Sequence, residues 1–383
     1  MTAIGLTNVG LVALPMHGQR KLVAEGYRTR DGHIIEWAGS LLRDAGGASV
    51  CVVSRPEPWF MSLKRQGSGV GHVAPNTVNV TRKVFSPPRS LDRQQWWVDS
   101  AKHYALPTGV NPRVPVICWN PFALASTMFG SVTPRCHFDL LDDWSVHYAF
   151  KNLWPDVNRA YAKAFDVAQT VTANSESTLE LAHKHGRSDA VLILNGCDPE
   201  RFRTTSRAEG PTTVGYVGKI GKRLNLDLIL DVSRTFPEVK FVFAGPILDS
   251  EYRKPLSSAE NITLLGDVHY ERVPELLETF DVGWVPHKTG EGEVGGDVIK
   301  IYEYRAAGLP VLSTPIIGAG RRGIAHVAYL PPAEHGTWLR EQICAAGRVP
   351  RAVSALPPDM SWKGKTEQIL EMLGMEVSGG TRA

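Results

Sequence analysis

The chain has 383 residues, enough for two domains of ordinary size that each bury a hydrophobic core. Hydrophobic residues make up 43% and charged residues 21%, which is typical of a globular protein and excludes a disordered chain. The net charge of +3 is too small to indicate nucleic-acid binding. No apolar run approaches the roughly 20 residues of a membrane-spanning helix, and the N-terminus shows no signal-peptide pattern. We therefore expect a cytoplasmic protein whose membrane contact, if any, is peripheral and at the inner face.

Short β-branched runs alternate with helical patterns along the chain, which is typical of parallel sheets covered by helices. In the first half we predict helices over Asp31–Ala45, which ends at a glycine pair, and over Asp156–Phe165. The predicted strands there are Ile4–Leu14, Ser49–Ser54, Val114–Trp119, Arg135–Leu140, Thr170–Ala173 and Ala190–Leu194.

Residues 197–212 are polar and interrupted by proline and glycine, as in a linker. A second series of elements follows them. Its predicted strands are Thr213–Val217, Lys240–Ala244, Ile262–Leu265, Val282–Val285 and Val311–Ser313, and its predicted helices are Leu224–Phe236, Val273–Thr279 and Val298–Ala307. We therefore predict two αβ domains that face each other across a cleft, residues 1–205 and 213–355. Residues 356–383 form a terminal helix and tail that could return to the first domain.

The strand at Val214–Val217 runs into a glycine-containing loop and then into a helix. Glycine allows close approach of a ligand to the backbone, and a helix N-terminus offers unpaired N–H groups to an anion. Gly218, Lys219 and Arg223 are therefore candidates for phosphate binding. The spacing is not GxGxxG, and no acidic residue ends the next strand, so a dinucleotide site is disfavoured. An ordinary tight turn is the alternative.

A second motif follows Gly295-Gly296-Asp297, where a helix is predicted to begin. Lys300 and Glu303 are three residues apart and so share one helix face. The lysine suits a diphosphate, and the carboxylate suits the two hydroxyls of a ribose. A surface ion pair is the alternative. Asp297, as an N-cap, would repel a phosphate at that terminus.

A third motif places carboxylates at the end of the predicted strand Arg135–Leu140. Asp139, Asp142 and Asp143 would then lie at the carboxyl edge of a parallel sheet, where sites of αβ proteins form. A carboxylate there could act as a general base. A helix cap or an Asp–Arg ion pair is the alternative.

The run Lys-Ile-Tyr-Glu-Tyr-Arg-Ala-Ala-Gly-Leu-Pro-Val at 300–311 resembles the signature K-x-x-E-Y-x-A-x-G-x-P-V of family 4-like glycosyltransferases, also called group 1. These include bacterial polysaccharide-biosynthesis transferases. The resemblance covers the second half of the chain, and the first 130 residues match far less well. The further matching segments are 195–202, 215–218, 241–246, 261–266 and 273–282.

This resemblance implies the GT-B fold, two Rossmann-like domains, and transfer of a sugar from a nucleoside-diphosphate donor to an acceptor hydroxyl in glycan or glycoconjugate synthesis. It implies that Glu303 binds the ribose and Lys300 the diphosphate, that Gly218 and Arg223 form the phosphate loop, and that Asp267 lies near the base. No cofactor is expected. No metal is expected either, since cysteine and histidine spacings match no zinc pattern.

One departure from the family concerns catalysis. Retaining members carry a first glutamate eight residues before the second, and Gly295 stands at that position here. Glu291 and Glu293 are nearby but out of register, and Glu293 is kept as a donor-contacting candidate. Retention or inversion therefore stays open. An inverting enzyme would use Asp143, or alternatively Asp142, as its base.

The acceptor side is less defined by the sequence. Asp31 and His33 lie where the acceptor loop of the family begins, although Asp31 as a helix N-cap is the alternative. The acceptor could be a glycan, a lipid-linked glycan or another hydroxyl compound. The basic and aromatic stretch 82–97 could rest on a lipid surface. A sugar-nucleotide epimerase and a catalytically silent binding protein are the competing functions.

Overall fold

The computed structural model describes residues 6, 8–59, 74–85, 94–126, 128, 134–290, 293, 296–344 and 348–376. The chain divides into two compact units, one comprising Met1–Leu194 with Trp362–Ala383 and the other Asn195–Ser361. The division falls after Leu194, earlier than the predicted boundary. The segment 197–212, which we expected to be a linker, belongs to the second unit, where Phe202 is buried in the core.

The first unit is built on a parallel sheet of seven strands in the order β3-β2-β1-β4-β5-β6-β7, counted over the described residues. Its central strands are buried on both faces because helices cover the two sides of a parallel sheet. The strands are β1 (Val9–Leu14), β2 (Ser49–Pro58), β3 (Thr77–Val84), β4 (Val116–Cys118), β5 (Cys136–Leu140), β6 (Thr170–Ala173) and β7 (Val191–Leu192).

The helices of the first unit present apolar faces to this sheet. Helix α5 is typical, since Val157, Tyr161 and Ala164 are buried on one face while its other face carries exposed charged residues. The helices up to Leu194 are α1 (Gln19–Glu25), α2 (Arg30–Asp44), α3 (Gln95–Ala101), α4 (Pro121–Leu124), α5 (Trp154–Val167) and α6 (Glu176–Lys184).

A buried ion pair ties helix α2 to the middle of the first sheet. The guanidinium of Arg30 donates from Nε and Nη2 to the carboxylate of Asp139, at 2.7 and 3.0 Å. Trp119 Nε1 and Thr172 Oγ1 also donate to this carboxylate, at 2.6 and 2.7 Å. Arg30 is 2% exposed and Asp139 is fully buried. Asp139 is therefore a structural residue in an Asp–Arg ion pair, which was the alternative to a catalytic role in the sequence analysis.

The second unit contains a parallel sheet of six strands in the order β10-β9-β8-β11-β12-β13, again over the described residues. Its strands are β8 (Thr213–Val217), β9 (Lys240–Ala244), β10 (Ile262–Gly266), β11 (Val282–Val285), β12 (Val311–Ser313) and β13 (Val327–Tyr329). Its helices are α7 (Leu226–Thr235), α8 (Arg253–Ser257), α9 (Val273–Leu277), α10 (Ile299–Ala306) and α11 (His335–Cys344).

The last helix, α12 (Trp362–Met372), belongs to the first unit and packs on α2. The indole of Trp362 is fully buried and stacks on the imidazole of His33, with ring centroids 4.8 Å apart. Within the described part of the chain, no helix combines the length and the apolar character that crossing a bilayer requires.

Replacing Asp139 with alanine leaves the buried Arg30 cation without its counter-charge. We expect a loss of about 3–5 kcal/mol in the free energy of unfolding, measured by urea denaturation. The control is Asp166→Ala, which removes an exposed carboxylate paired with Lys163 and should cost less than about 1 kcal/mol. Equal losses in the two variants would contradict the role assigned to Asp139.

Candidate functional site

The strand order of the second unit creates a crevice between the loops that follow β8 and β11. These neighbouring strands continue to opposite sides of the sheet, and such a switch point is where open αβ sheets bind ligands. Backbone hydrogen bonds join the two loops: Asn225 N donates to Pro286 O, and Lys288 N donates to Arg223 O, both at 2.8 Å. Arg223 is therefore held at the crevice.

Gly218 lies in the first of these loops at a positive φ of 149°. A Cβ atom at this position would lie 3.0 Å from Lys300 Cε and 3.0 Å from Tyr216 Oη. The amide N–H of Gly218 donates to the carbonyl of Ala244 at 2.8 Å, which fixes the loop on β9. A side chain here would be strained at this φ and would crowd Lys300 and Tyr216, so the position favours glycine.

Lys300 lies in the first turn of α10, whose N-cap residue Val298 provides no side-chain cap. Its Nζ lies 5.2 Å from the centroid of the Tyr216 ring, within range of a cation–π interaction. Burial, reinforced by the nearby charges of Arg223 and Lys219, lowers the pKa of Lys300 to about 8, and Glu303 acts in the opposite direction. The site thus concentrates positive charge that a bound anion would stabilise.

His287 follows β11 and lies close to the cations Lys300 and Arg223. It is 4% exposed, and its ring packs against Tyr216 with centroids 6.3 Å apart. Burial, together with Lys300 and Arg223, holds the pKa of His287 well below its usual range, so the imidazole is neutral. Its Nε2 has no hydrogen-bond partner among the described residues.

Glu303 is 5% exposed and lies one turn further along α10. Tyr270 lies close enough to this carboxyl group to influence its pKa. Burial raises the pKa of Glu303 to about 7, although Tyr270, Lys300 and Arg201 oppose the shift. Arg201 is itself paired with Asp198 at 3.1 Å. A carboxyl group poised in this way can accept hydrogen bonds from a ligand at neutral pH.

Asp297 has a different role from the one that the sequence suggested. The N-cap of α10 is Val298, and the predicted capping by Asp297 is wrong. The Asp297 carboxylate is buried, 3.2 Å from Arg322 Nε, and it accepts hydrogen bonds from Asn195 N and Tyr302 Oη at 2.9 and 2.5 Å. Its charge is thus compensated, which removes the expected repulsion of a phosphate.

The remaining predicted donor residues lie around the same edge of the sheet. Lys219 is exposed beside Gly218, and Asp267 is exposed just after β10. The carboxylate of Glu293 accepts hydrogen bonds from Ile317 N at 2.8 Å and from Gly290 N at 3.4 Å, so it supports the loop before α10. Gly295 and Glu291 lie outside the described residues. Donor contacts by Lys219, Asp267 and Glu293 stay predictions.

In the first unit, Asp142 and Asp143 are half-buried just after β5, at the carboxyl edge of the sheet. Asp143 Oδ1 accepts hydrogen bonds from Ser145 N and Oγ, at 2.8 and 2.5 Å. Its Oδ2 has no hydrogen-bond partner in the described part of the chain. Asp142 contributes its carbonyl, which accepts a hydrogen bond from the Tyr161 hydroxyl at 3.0 Å.

Asp31 and His33 are both fully buried. Helix α2 begins at Arg30 with Thr29 as its N-cap residue, so N-capping by Asp31 is wrong. Asp31 instead accepts hydrogen bonds from Thr29 Oγ1 and Met16 N, at 2.5 and 3.1 Å, and so anchors the loop after β1. Neither side chain has accessible surface to offer an acceptor, and their contact with it stays a prediction.

Several residues of the second-unit site were missed from the sequence. The sequence places Tyr216 only within a glycine motif. Nothing in the sequence pattern distinguishes Tyr270, His287 and Arg201 from ordinary core or surface residues. They are assembled by the fold. In the described residues, no group of three or more histidine, cysteine, aspartate or glutamate side chains could hold a metal ion.

Comparison with known proteins agrees with this architecture. Residues 211–342 match the family model described as glycosyl transferases group 1. TuaH of Bacillus subtilis (strain 168), named for teichuronic acid biosynthesis as a glycosyltransferase, is 23% identical over 213 residues, covering 50% of this chain and 53% of TuaH. The chain therefore spans about half the length of this curated relative.

Two solved structures resemble the whole chain. HepE of Anabaena, crystallised with UDP and glucose, aligns with a TM-score of 0.62 at 16% identity over 95% of this chain and 99% of its own. Sucrose-phosphate synthase of Thermosynechococcus elongatus aligns with a TM-score of 0.65 at 15% identity, over 95% and 94% of the two chains.

The chain therefore has the GT-B fold, and the predicted fold class is confirmed. The match of residues 211–342 to the group 1 glycosyltransferase model includes the motif at 300–311, on which the resemblance in the sequence rests.

We expect binding of a nucleoside diphosphate to depend on pH through Lys300 and Glu303. Lys300, with its pKa lowered to about 8, loses its charge as the pH rises through that value. Glu303, with its pKa raised to about 7, becomes neutral as the pH falls through that value. Affinity measured by calorimetry should therefore be greatest between these values and fall by up to about tenfold per pH unit outside them.

Two variants separate this effect from titration of the ligand itself, which is the same for every variant. Lys300→Arg should abolish the loss at high pH, since arginine stays charged. Glu303→Gln should abolish the loss at low pH. A wild-type profile that both variants reproduce unchanged would contradict the assignment.

Proposed function

We propose that the protein is a glycosyltransferase that moves a sugar from a nucleoside-diphosphate donor to a hydroxyl of an acceptor, in glycan or glycoconjugate synthesis. The second unit binds the donor. The family of residues 211–342 supports this proposal, as does the name of TuaH. HepE, which shares the fold, was crystallised with UDP and glucose.

The observation that carries the proposal is the arrangement of charge on helix α10. Lys300 lies at the N-terminus of α10 and packs against the loop that contains Gly218. The N-terminus of this helix has no side-chain cap and adds a partial positive charge. Glu303 lies one turn further along the helix, where it is buried beside Tyr270. Cations at the diphosphate stabilise the charge that develops on the leaving group. The carboxylate receives the ribose hydroxyls.

We assign the general base to Asp143 of the first unit. Its Oδ1 is held by Ser145, which orients the carboxylate while Oδ2 keeps its capacity to accept a proton. A base in this position removes the proton of the acceptor hydroxyl as the new glycosidic bond forms. Asp142 is the alternative base.

Two variants test the separate roles of Glu303 and Asp143. Glu303→Ala removes the carboxylate that would accept hydrogen bonds from the ribose. It should therefore weaken binding of the sugar-nucleotide donor by about 10- to 100-fold. Glu275→Ala, which removes an exposed carboxylate on α9, is the matched control and should leave binding unchanged.

Asp143→Asn should leave donor binding intact but slow transfer by about 10²- to 10⁴-fold. Donor binding is measured by thermal shift against uridine, guanosine and adenosine diphosphates and their sugars.

The same assays distinguish the two competing functions. An epimerase converts the sugar nucleotide without an acceptor, whereas a transferase requires one. A silent binding protein binds the nucleoside diphosphate but transfers nothing to any acceptor. If Glu303→Ala binds every nucleotide as well as the wild type does, the donor site has been misplaced.

We also propose that the acceptor is lipid-linked and that the first unit contacts the membrane peripherally. Phe85 is 80% and Trp59 40% exposed, and their rings stack with centroids 6.0 Å apart at the ends of β3 and β2. Arg82 and Lys83 are exposed beside them. Exposed aromatic rings next to cations suit the interface of an anionic membrane.

Vesicle cosedimentation tests this contact. Binding to vesicles that contain phosphatidylglycerol should exceed binding to pure phosphatidylcholine vesicles, and Arg82→Gln should weaken it by about fivefold. Phe85→Ser should weaken it as well. Leu248→Ser, which removes an exposed apolar side chain of the second unit, is the control. Equal binding to both kinds of vesicle would exclude an electrostatic contact.

A further inference from the structure

Arg55 lies at the carboxyl end of β2, where the pairing with β3 shifts register between Ser54 and Glu57. Such a bulge re-aims the side chains that it contains. Strand β2 is adjacent to β1, and β1 and β4 form the switch point of the first sheet. Arg55 therefore occupies the edge at which the first unit would receive a ligand.

The guanidinium of Arg55 is partly removed from water and is not held by a carboxylate of the described residues at ion-pair distance. The residue is half-buried, and its Nη1 is covered without any hydrogen-bond partner. Among the described residues no carboxylate forms an ion pair with it. Tyr104 and Glu57 favour the charged form of Arg55 electrostatically, but burial outweighs both. Burial also raises the pKa of Tyr104, so that hydroxyl is neutral. Burial accordingly lowers the pKa of Arg55.

Aromatic packing connects this cation to the proposed catalytic carboxylate. The guanidinium carbon lies 3.9 Å from the centroid of the Trp97 ring. Trp97 in turn meets Trp144 edge-on, with centroids 5.1 Å apart. Trp144 directly follows Asp143 in the chain. Arg55 and Asp143 thus flank one group of packed indole rings on the same sheet edge.

A stacked guanidinium keeps its N–H donors in the plane of the group, where they match the two oxygens of a carboxylate or phosphate. Folded proteins seldom leave a partly buried cation without a counter-charge, because removing it from water is costly. An anionic ligand would supply the missing charge. A purely structural arginine would instead be expected to bind backbone carbonyls, as Arg187 and Arg351 do.

We propose that Arg55 binds an oxyanion group, a carboxylate or a phosphate, carried by the acceptor. The ligand class is therefore an acidic sugar or a sugar phosphate and not a neutral sugar. This inference rests on the proposed transfer function for its link to the acceptor. The anion site itself does not depend on that function.

The test uses the full chain labelled with 5-fluorotryptophan and observed by fluorine NMR. The signal of Trp97 is identified by its loss in Trp97→Phe. Glucuronate, glucose 6-phosphate and glucose are titrated at constant ionic strength, so that the three probes differ in their anionic group. The variants are Arg55→Gln and Arg55→Lys, and the control is Arg43→Gln, which removes an exposed arginine on α2 of the same unit.

We expect glucuronate or glucose 6-phosphate to shift the Trp97 signal saturably, and glucose to leave it unchanged. The tighter of the two anions identifies the preferred group. Arg55→Gln should weaken anion binding at least tenfold, Arg55→Lys should weaken it less, and Arg43→Gln should match the wild type. Equal responses to glucose and to the anions, or an anion affinity unchanged in Arg55→Gln, would overturn the proposal.

Nucleoside diphosphate binding, followed by thermal shift in the same variants, separates this inference from the proposed function. Arg55→Gln should bind the nucleotide as the wild type does, because Arg55 lies in the other unit. A wild-type protein that binds the nucleotide but shows no saturable response to either anion refutes the Arg55 site alone. An intact anion response in a protein that binds no nucleotide upholds the site and refutes the transferase proposal.

Discussion

The close approach of Lys300 to the backbone of Gly218 is the constraint on which the second-unit site depends. It places an ammonium group where burial and neighbouring cations disfavour its charge, and it requires a residue without a side chain in the facing loop. Tyr216 and the neutral ring of His287 line the space without adding charge. The fold therefore tolerates a local electrostatic cost, which the proposed binding of a diphosphate would offset.

Charge compensation separates structural from ligand-binding residues in both units. Arg30 and Asp139 are buried deeply, yet each finds its counter-charge within the fold. Asp297 likewise has Arg322. Lys300 sits among further cations, and Arg55 stacks on an indole without a carboxylate partner among the described residues. We propose that the charges which the described part of the chain does not compensate are those that bind anionic ligands.

The sequence predicts those parts of the structure that depend on local pattern. Strands β6, β8, β9, β11 and β12 have the predicted bounds, because buried parallel strands are short, continuous apolar runs. Strand β3 was missed because it is an edge strand with polar residues at alternate positions. Lys300 and Glu303 could be placed together by helical spacing, whereas Tyr270 joins Glu303 only through tertiary folding. Asp31 and Asp297 do not cap helices, because their carboxylates bind other buried partners, Met16 N and Arg322.

The hydrogen bonds of Asp297 have a consequence for attempts to exchange donor specificity between proteins of this fold. The loop before α10 is held by Asn195, the first residue of the second unit, and by Arg322, well beyond the helix. A graft of the loop alone would carry a buried carboxylate into a host without its cation and its amide. The smallest transferable module is therefore discontinuous, and it comprises three separate pieces of the chain.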